Sequence, residues 1–146
     1  NVLYGDPWAA KPDVISAAER AQLHEHVAKL PQEYDTLIGE RGLALSGGQR
    51  QRLNISRSLL LGTHILILDD STSAVDAGTE KKIREALKEG AAERLTIIIS
   101  HRVASLMHAD QIVYMEDGRI LERGNHQELI KQGGNYAQLY QLQTID

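Results

Sequence analysis

The stretch Leu45-Ser46-Gly47-Gly48-Gln49-Arg50-Gln51-Arg52 decides the fold of this 146-residue chain, together with the apolar run Ile65-Leu66-Ile67-Leu68 that ends in Asp69-Asp70. The pattern Ser46-x-x-Gln49 predicts a capping box, in which the hydroxyl accepts from an amide of the first helical turn and Gln49 reaches back. The helix is expected to run from about Gly47 to Leu61, with Gly62 ending it.

The glycine pair at the start of this helix points to an anion. Two glycines in a helix are unfavourable by about 1 kcal/mol each relative to alanine, and a capping box gives no reason for them. Bare amides without β-carbons allow phosphate oxygens to approach, and a helix N-terminus favours negative charge. Arg50 and Arg52 could assist that anion or simply be surface charges.

Composition excludes several classes of function. The net charge is −4 with acidic and basic residues interspersed, so no basic stripe is present to neutralise a nucleic-acid backbone, and nucleic acid is not an expected partner. The chain lacks cysteine, which excludes disulfides and thiolate metal sites. No apolar run reaches the roughly 18 residues of a membrane span. Because the sequence opens on Asn1 rather than Met, we expect a piece of something longer.

The remaining patterns predict an α/β fold, with a parallel sheet, flanking helices and an α-helical part. Apolar positions at helical spacing predict a helical region from Asp13 to about Leu30. The unbroken runs 65–68 and 95–99 predict parallel strands buried on both faces, and a helix from Asp76 to Gly90 supplies their crossover. A hairpin follows at 111–122, then a helix capped by Asn125-x-x-Glu128 and another at 136–142.

Polar residues follow both predicted parallel strands. Asp69 and Asp70 end the first strand, and Ser100-His101 follow the second. Ligands bind at this edge in open α/β sheets. One carboxylate there can hold Mg²⁺ through water, a second can orient the water that attacks a γ-phosphate, and His101 can donate a hydrogen bond to that phosphate. His24 and His26, two residues apart, are expected on a solvated helix face rather than at a metal.

These motifs resemble those of the ATP-binding domain of ABC transporters, of the exporter type, over essentially the whole chain. Residues Leu45 to Gln49 resemble the family signature, Ile65 to Asp69 the Walker B strand, Ser73 to Asp76 the D-loop, and Ser100 to Arg102 the switch histidine. Gly39-Glu40-Arg41-Gly42 resembles the loop that touches the membrane domain. No Gly-x-x-x-x-Gly-Lys-Ser/Thr loop occurs in the sequence, so the Walker A loop and the Q-loop are expected upstream.

The resemblance implies a role for each motif. It implies a partial P-loop NTPase-like sheet, with a helical subdomain over residues 1–61 and the C-terminal part of the ATPase core over 62–146. Asp69 would serve magnesium, Asp70 the attacking water and His101 the γ-phosphate of ATP. The signature residues Leu45, Ser46, Gly47, Gly48 and Gln49, with Asp76, would contact nucleotide across a head-to-tail dimer of two such domains.

One residue departs from the family pattern. The family usually carries a catalytic Glu after the Walker B aspartate, whereas this chain has Asp70, whose carboxylate is withdrawn by about 1.5 Å. In the family such replacements resemble the slow site of asymmetric heterodimers. The resemblance thus implies the slower half of a heterodimeric exporter, attached to a transmembrane domain at the cytoplasmic face of the membrane.

Two other functions stay open on the sequence. The first is a soluble ABC-type ATPase of DNA repair or chromosome organisation. Three features count against it, namely the net negative charge, the 39–42 loop and the Ser-His-Arg form of the switch. The second is a binding or assembly module without catalysis, since a chain lacking the phosphate loop should bind ATP weakly.

Overall fold

The computed structural model describes residues 1–39, 45–88 and 94–144, which form two compact units, Asn1–Ile99 and Ser100–Asp146. The fold class is α/β, as the sequence predicts. The predicted division into a helical subdomain (1–61) and an ATPase core (62–146) differs from the division into these two units and stays a prediction. Residues 40–42 of the expected membrane-contact loop, and the predicted helix end at Gly90, lie outside the described residues.

Three helices build the first part of the first unit. They are α1 (Lys11–Arg20), α2 (His24–Val27) and α3 (Gly47–Leu60), and 3₁₀ turns lie at Val2–Tyr4 and Glu33–Asp35. The single helical region predicted from Asp13 to Leu30 is interrupted, because Gln22 adopts a left-handed backbone with φ of +56°. The N–H of Leu23 then donates to the carbonyl of Ala18, which closes α1 and turns the Leu23 side chain into the core.

A strand, a helix and a strand complete the first unit. β1 (Ile65–Asp69), α4 (Ala77–Lys88) and β2 (Leu95–Ile99) follow in order, and the two strands pair in parallel with Ile65 opposite Leu95 and Asp69 opposite Ile99. This arrangement confirms the predicted crossover. Ile83 and Leu87 of α4 are buried in one cluster with Leu66 and Leu68.

The two faces of this sheet differ in exposure. Leu66 and Leu68 are 3% and 5% exposed, whereas Ile65 and Ile67 are 55% and 58% exposed. On β2, Leu95, Ile97 and Ile99 are also exposed. The prediction of strands buried on both faces is therefore wrong for this chain, because the core cluster of the described residues packs on the Leu66 and Leu68 side.

The second unit contains a hairpin between short helices. Its elements are α5 (Val103–Leu106), β3 (Ile112–Glu116), β4 (Arg119–Gly124), α6 (His126–Gln132) and α7 (Asn135–Thr144). β3 and β4 are antiparallel across Asp117 and Gly118, both at positive φ, as a two-residue hairpin turn requires. Asn125 and Glu128 form the predicted capping box of α6. The unit's core comprises Val103, Ile112, Leu129 and Tyr136.

In residues 1–39, 45–88 and 94–144, none of the helices combines the length and the apolar character that crossing a bilayer would require.

Candidate functional site

The start of α3 carries the predicted capping box. The Ser46 Oγ accepts from the Gln49 N–H at 3.2 Å, and the Gln49 Oε1 accepts from the Ser46 N–H at 2.7 Å. Helix geometry leaves the first N–H groups of a helix without intrahelical acceptors. With Ser46 and Gln49 satisfying each other, the N–H groups of Gly47 and Gly48 are the ones that this turn can offer to an anion.

Gln49 is fixed at both ends of its amide. Its Nε2 lies 3.2 Å from the Nδ1 of His26, and since that amide nitrogen only donates, Nδ1 acts as the acceptor. The His26 Nε2 is buried with no hydrogen-bond partner in the structure. His24 lies with its Nδ1 2.8 Å from the Tyr34 hydroxyl. Both histidines are half-buried rather than on the solvated face expected from their spacing, because the turn at Gln22 brings α2 against its neighbours.

The arginines after the signature bind backbone carbonyls. Arg50 Nη1 donates to the Leu45 carbonyl at 2.6 Å, and Arg52 donates to the carbonyls of Gly48 and Gln22. Arg50 is exposed and Arg52 is half-buried, so assistance to an anion and surface charge both stay open as interpretations. The arginines hold the turn before α3, and through Gln22 they hold the end of α1.

The glycine pair also has a packing reason. A Cβ at Gly48 would lie 2.8 Å from the Ala74 carbonyl oxygen, a distance that real Cβ atoms do not show, whereas a Cβ at Gly47 would lie 3.4 Å from the Ala74 Cβ. Gly48 therefore permits the start of α3 to contact the loop after β1. Access for an anion is thus one reason for the pair, and this contact is a second.

The two acidic residues end β1 in different surroundings. Asp69 is exposed at the carboxyl end of the strand, and Asp70 is half-buried with φ of +43°. The Asp70 N–H donates to the Ile99 carbonyl at 2.9 Å, which extends the β1–β2 pairing by one bond. An exposed carboxylate suits Mg²⁺, which takes one or two protein oxygens and completes its shell with water and phosphate. The exposed Asp69 carboxylate can supply one such oxygen. No group of three metal-binding side chains occurs in the described ranges.

The loop from Ser73 to Asp76 joins these elements to α4. Val75 is buried, and the Asp76 Oδ1 accepts from the Thr79 N–H at 2.9 Å, so Asp76 caps α4. The backbone N–H of Thr79, and then its hydroxyl, hold the pKa of the Asp76 carboxyl below its ordinary value. Sequence reasoning assigned Asp76 to nucleotide contact, and the structure adds this structural role.

Gln51 is the residue that sequence reasoning missed. Its side chain bonds to Asp70, Ser73 and Ala74, and these contacts are 19 to 23 residues apart along the chain. No local signal marks it, because a glutamine between two arginines on a helix is ordinary.

His101 belongs to the second unit. Its side chain is exposed, and its carbonyl oxygen accepts from the Gln143 Nε2 at 2.8 Å. The preceding Ser100 accepts from the Arg102 N–H. The structure thus brings the Ser46 to Gln49 turn together with the loop from Asp70 to Asp76, while the predicted role of His101 stays a prediction.

Comparison with known proteins agrees with the motifs. The family described as ABC transporter matches residues 6–73. An ABC transporter ATP-binding protein of Bacillus subtilis, YknU, which is itself uncharacterized, is 53% identical over 146 residues, which are 100% of this chain and 25% of the relative. An ATP-binding/permease protein of Staphylococcus aureus whose name refers to multidrug export is 48% identical over 145 residues, covering 99% of this chain and 25% of the relative.

A solved structure shows the same fold. The structure of a bacterial Atm1-family ABC exporter with ATP bound superimposes with a TM-score of 0.94 at 39% identity, covering 99% of this chain and 25% of that one. The chain therefore spans about a quarter of the length of the relatives it matches.

Proposed function

We propose that this chain is part of the ATP-binding domain of an ABC transporter of the exporter type, and that within the whole protein it binds and hydrolyses ATP to power export across a membrane. The observation that carries the proposal is the contact between the signature turn and the loop after β1, made by Gly48 against Ala74 and by Gln51. The relatives named above favour export over a soluble repair ATPase.

The residues at the carboxyl end of β1 serve the chain's own ATP. The exposed Asp69 carboxylate would hold magnesium, and Asp70 orients the attacking water. Magnesium, when bound, neutralises part of the charge on the phosphate oxygens. The His101 side chain donates a hydrogen bond to the γ-phosphate.

The signature serves a second ATP molecule. Leu45 to Gln49, together with Asp76, face the nucleotide bound by a second ATP-binding domain in a head-to-tail dimer. The N–H groups of Gly47 and Gly48 donate hydrogen bonds to a phosphate oxygen, which is favoured there because they lie at the positive end of α3. The capping box and the His26 contact hold this turn in place without using those two groups.

The chain's partners follow from this arrangement. Residues 1–61 act as the helical subdomain and 62–146 as the C-terminal part of the ATPase core, and the domain couples to a transmembrane domain at the cytoplasmic face of the membrane. The net charge of −4 supports the absence of a nucleic-acid partner.

The two ATP sites of the dimer are unequal. The carboxylate of Asp70 is one methylene shorter than the usual glutamate, and a displacement of about 1 Å in a positioned group lowers a rate by about 10²-fold. This chain then carries the slow site, while its signature completes a fast site on a different partner subunit that keeps the glutamate.

The experiment uses the assembled complex purified from its source cells, with ATP hydrolysis measured with and without magnesium. Ser46→Arg places a bulky charge in the signature and is expected to lower hydrolysis by about 10²-fold or more, since it disables the fast site. Asp69→Asn affects only the slow site and leaves most of the activity. Asp117→Asn, in the hairpin turn of the second unit, is the control and leaves the rate unchanged.

Each result has a separate meaning. A complex without magnesium-dependent hydrolysis overturns the ATPase assignment. Equal losses of hydrolysis in Ser46→Arg and Asp69→Asn leave the ATPase assignment standing but overturn the proposal that the two sites are unequal. A complex that contains only two copies of this subunit overturns that proposal as well.

A further inference from the structure

Both backbone polar groups of Asp70 are bound. The residue has a positive φ of +43°, a conformation that a non-glycine residue keeps only when its surroundings impose it. The N–H donates to the Ile99 carbonyl at 2.9 Å, and the carbonyl accepts from the Ser73 N–H at 3.1 Å and from the Gln51 Nε2 at 3.2 Å. These bonds come from the neighbouring strand, from the loop itself and from α3, so the peptide planes on both sides of Asp70 are held.

Gln51 uses both ends of its amide on this loop. Its Nε2 donates to the Asp70 carbonyl and to the Ser73 Oγ at 2.8 Å, and its Oε1 accepts from the Ala74 N–H at 2.9 Å. The orientation of the amide is fixed by chemistry, because the Ala74 N–H can only donate and the Asp70 carbonyl can only accept. A glutamine in this position therefore matches the loop's donors and acceptors one by one.

These contacts define a clamp, by which we mean the Gln51 side chain and the loop from Asp70 to Ala74 that it spans. We infer that Gln51 is a positioning residue, which directs the Asp70 carboxylate by holding the loop on which it stands. The inference rests on the proposed function in one respect, namely that Asp70 orients the attacking water. Gln51 itself touches neither nucleotide nor water in this scheme.

Gln51 differs from its neighbours on α3 in the residues that its side chain contacts. Arg50 and Arg52 bond to carbonyls of Leu45, Gly48 and Gln22, none of which belongs to the loop from Asp70 to Ala74. Asn54, one turn further on, is exposed and accepts from Arg57. Asn54→Ala is thus a matched control that removes a polar side chain from the same helix without touching the loop.

Two variants test the clamp in the assembled complex. Gln51→Ala removes every clamp bond. Gln51→Glu keeps an acceptor for the Ala74 N–H but removes the donor to the Asp70 carbonyl. Single-turnover hydrolysis at the site that holds Asp70 is measured together with ATP affinity, the melting temperature and hydrogen exchange of the Ala74 amide.

The expected pattern is a split between rate and affinity. Both variants lower the hydrolysis rate about 10- to 100-fold, while ATP affinity and the Asn54→Ala control stay within about twofold of the unmodified complex. The Ala74 amide exchanges faster in Gln51→Ala and stays protected in Gln51→Glu. A purely structural role would instead lower the melting temperature and affinity together, and that result overturns the inference, as do unchanged rates in both variants.

The failure of the proposed function gives a different result. An unmodified complex without any ATP hydrolysis overturns the proposed function, and the Ala74 amide then decides the clamp. Faster exchange of that amide in Gln51→Ala but not in Asn54→Ala supports a clamp on the loop, and equal exchange in all variants overturns it.

Discussion

Gly48 packs so closely on Ala74 that a methyl group at position 48 would lie 2.8 Å from the Ala74 carbonyl oxygen. The start of α3 and the loop after β1 are therefore a single packed junction. Any side chain at position 48 must displace the loop or the helix, although alanine is normally the better helix former.

The first prediction concerns this junction. Gly48→Ala is expected to destabilise the chain by about 1–3 kcal/mol, since the strain of overpacking exceeds the gain in helix propensity. Gly47→Ala is the control, because its Cβ would meet the Ala74 side chain at 3.4 Å, an ordinary contact. Denaturant unfolding of both variants gives the comparison. Equal stability of the two variants would contradict the packing argument.

The two capping boxes provide a matched pair. Ser46→Ala and Asn125→Ala each remove the side chain that accepts from the third residue of a helix, so each is expected to destabilise by about 1 kcal/mol. Only Ser46→Ala is expected to lower hydrolysis in the assembled complex. Thermal unfolding and ATP hydrolysis are measured on both proteins. A loss of activity in Asn125→Ala that matches the loss in Ser46→Ala would mean that activity follows stability alone.

Asp70→Glu tests the short carboxylate. Restoring the methylene is expected to raise single turnover at this chain's own site by about 10²-fold and to double steady-state hydrolysis approximately, since two sites then work instead of one. The residue's positive φ suits aspartate better than glutamate, so the Ile99 and Gln51 bonds must hold the loop for the gain to appear. An unchanged rate in Asp70→Glu would refute the assignment of a slow site to this chain.

Acid should weaken the cap of α4. The Thr79 N–H lowers the pKa of Asp76 in the folded state, so the stabilising contribution is complete above the unfolded pKa of about 3.9 and is lost as the pH falls through the lower folded value. Asp76→Ala should therefore have a lower melting temperature than the unmodified chain at neutral pH. This difference in melting temperature, called the gap below, should narrow below about pH 4. Asn125→Ala, whose cap does not titrate, should keep its gap. A gap for Asp76→Ala that is constant with pH would contradict this account.

Local patterns predicted much of the fold. The capping boxes at Ser46 and Asn125 and the hairpin depend on residues close together in the chain, and the structure confirms them. The parallel strands, whose partners are 30 residues apart, were predicted from their apolar runs and the helix between them, and they are confirmed too. The break at Gln22 was missed, because a left-handed residue other than glycine leaves no mark in the apolar spacing.

The contacts of the candidate site were harder to predict. His26 reaches Gln49 and Gln51 reaches Asp70 across 23 and 19 residues, and such partners are set by packing rather than by spacing. The positions of Asp69 and Asp70 at the strand end follow from the sequence, whereas the clamp on Asp70 does not. The roles of Asp69, Asp70, Asp76, His101 and the signature residues stay predictions.

The exposed side of β1 leads to an expectation about sequence variation among related genes. Ile67 is 58% exposed and its neighbour Leu68 is 5% exposed. If this chain acted alone, related genes would therefore carry polar residues such as threonine or lysine at position 67 and apolar residues at position 68. If a further layer covers this face in the whole protein, both positions will be equally restricted among related genes. The substitutions found at these two adjacent positions can thus show whether another part of the whole protein covers this face of the sheet.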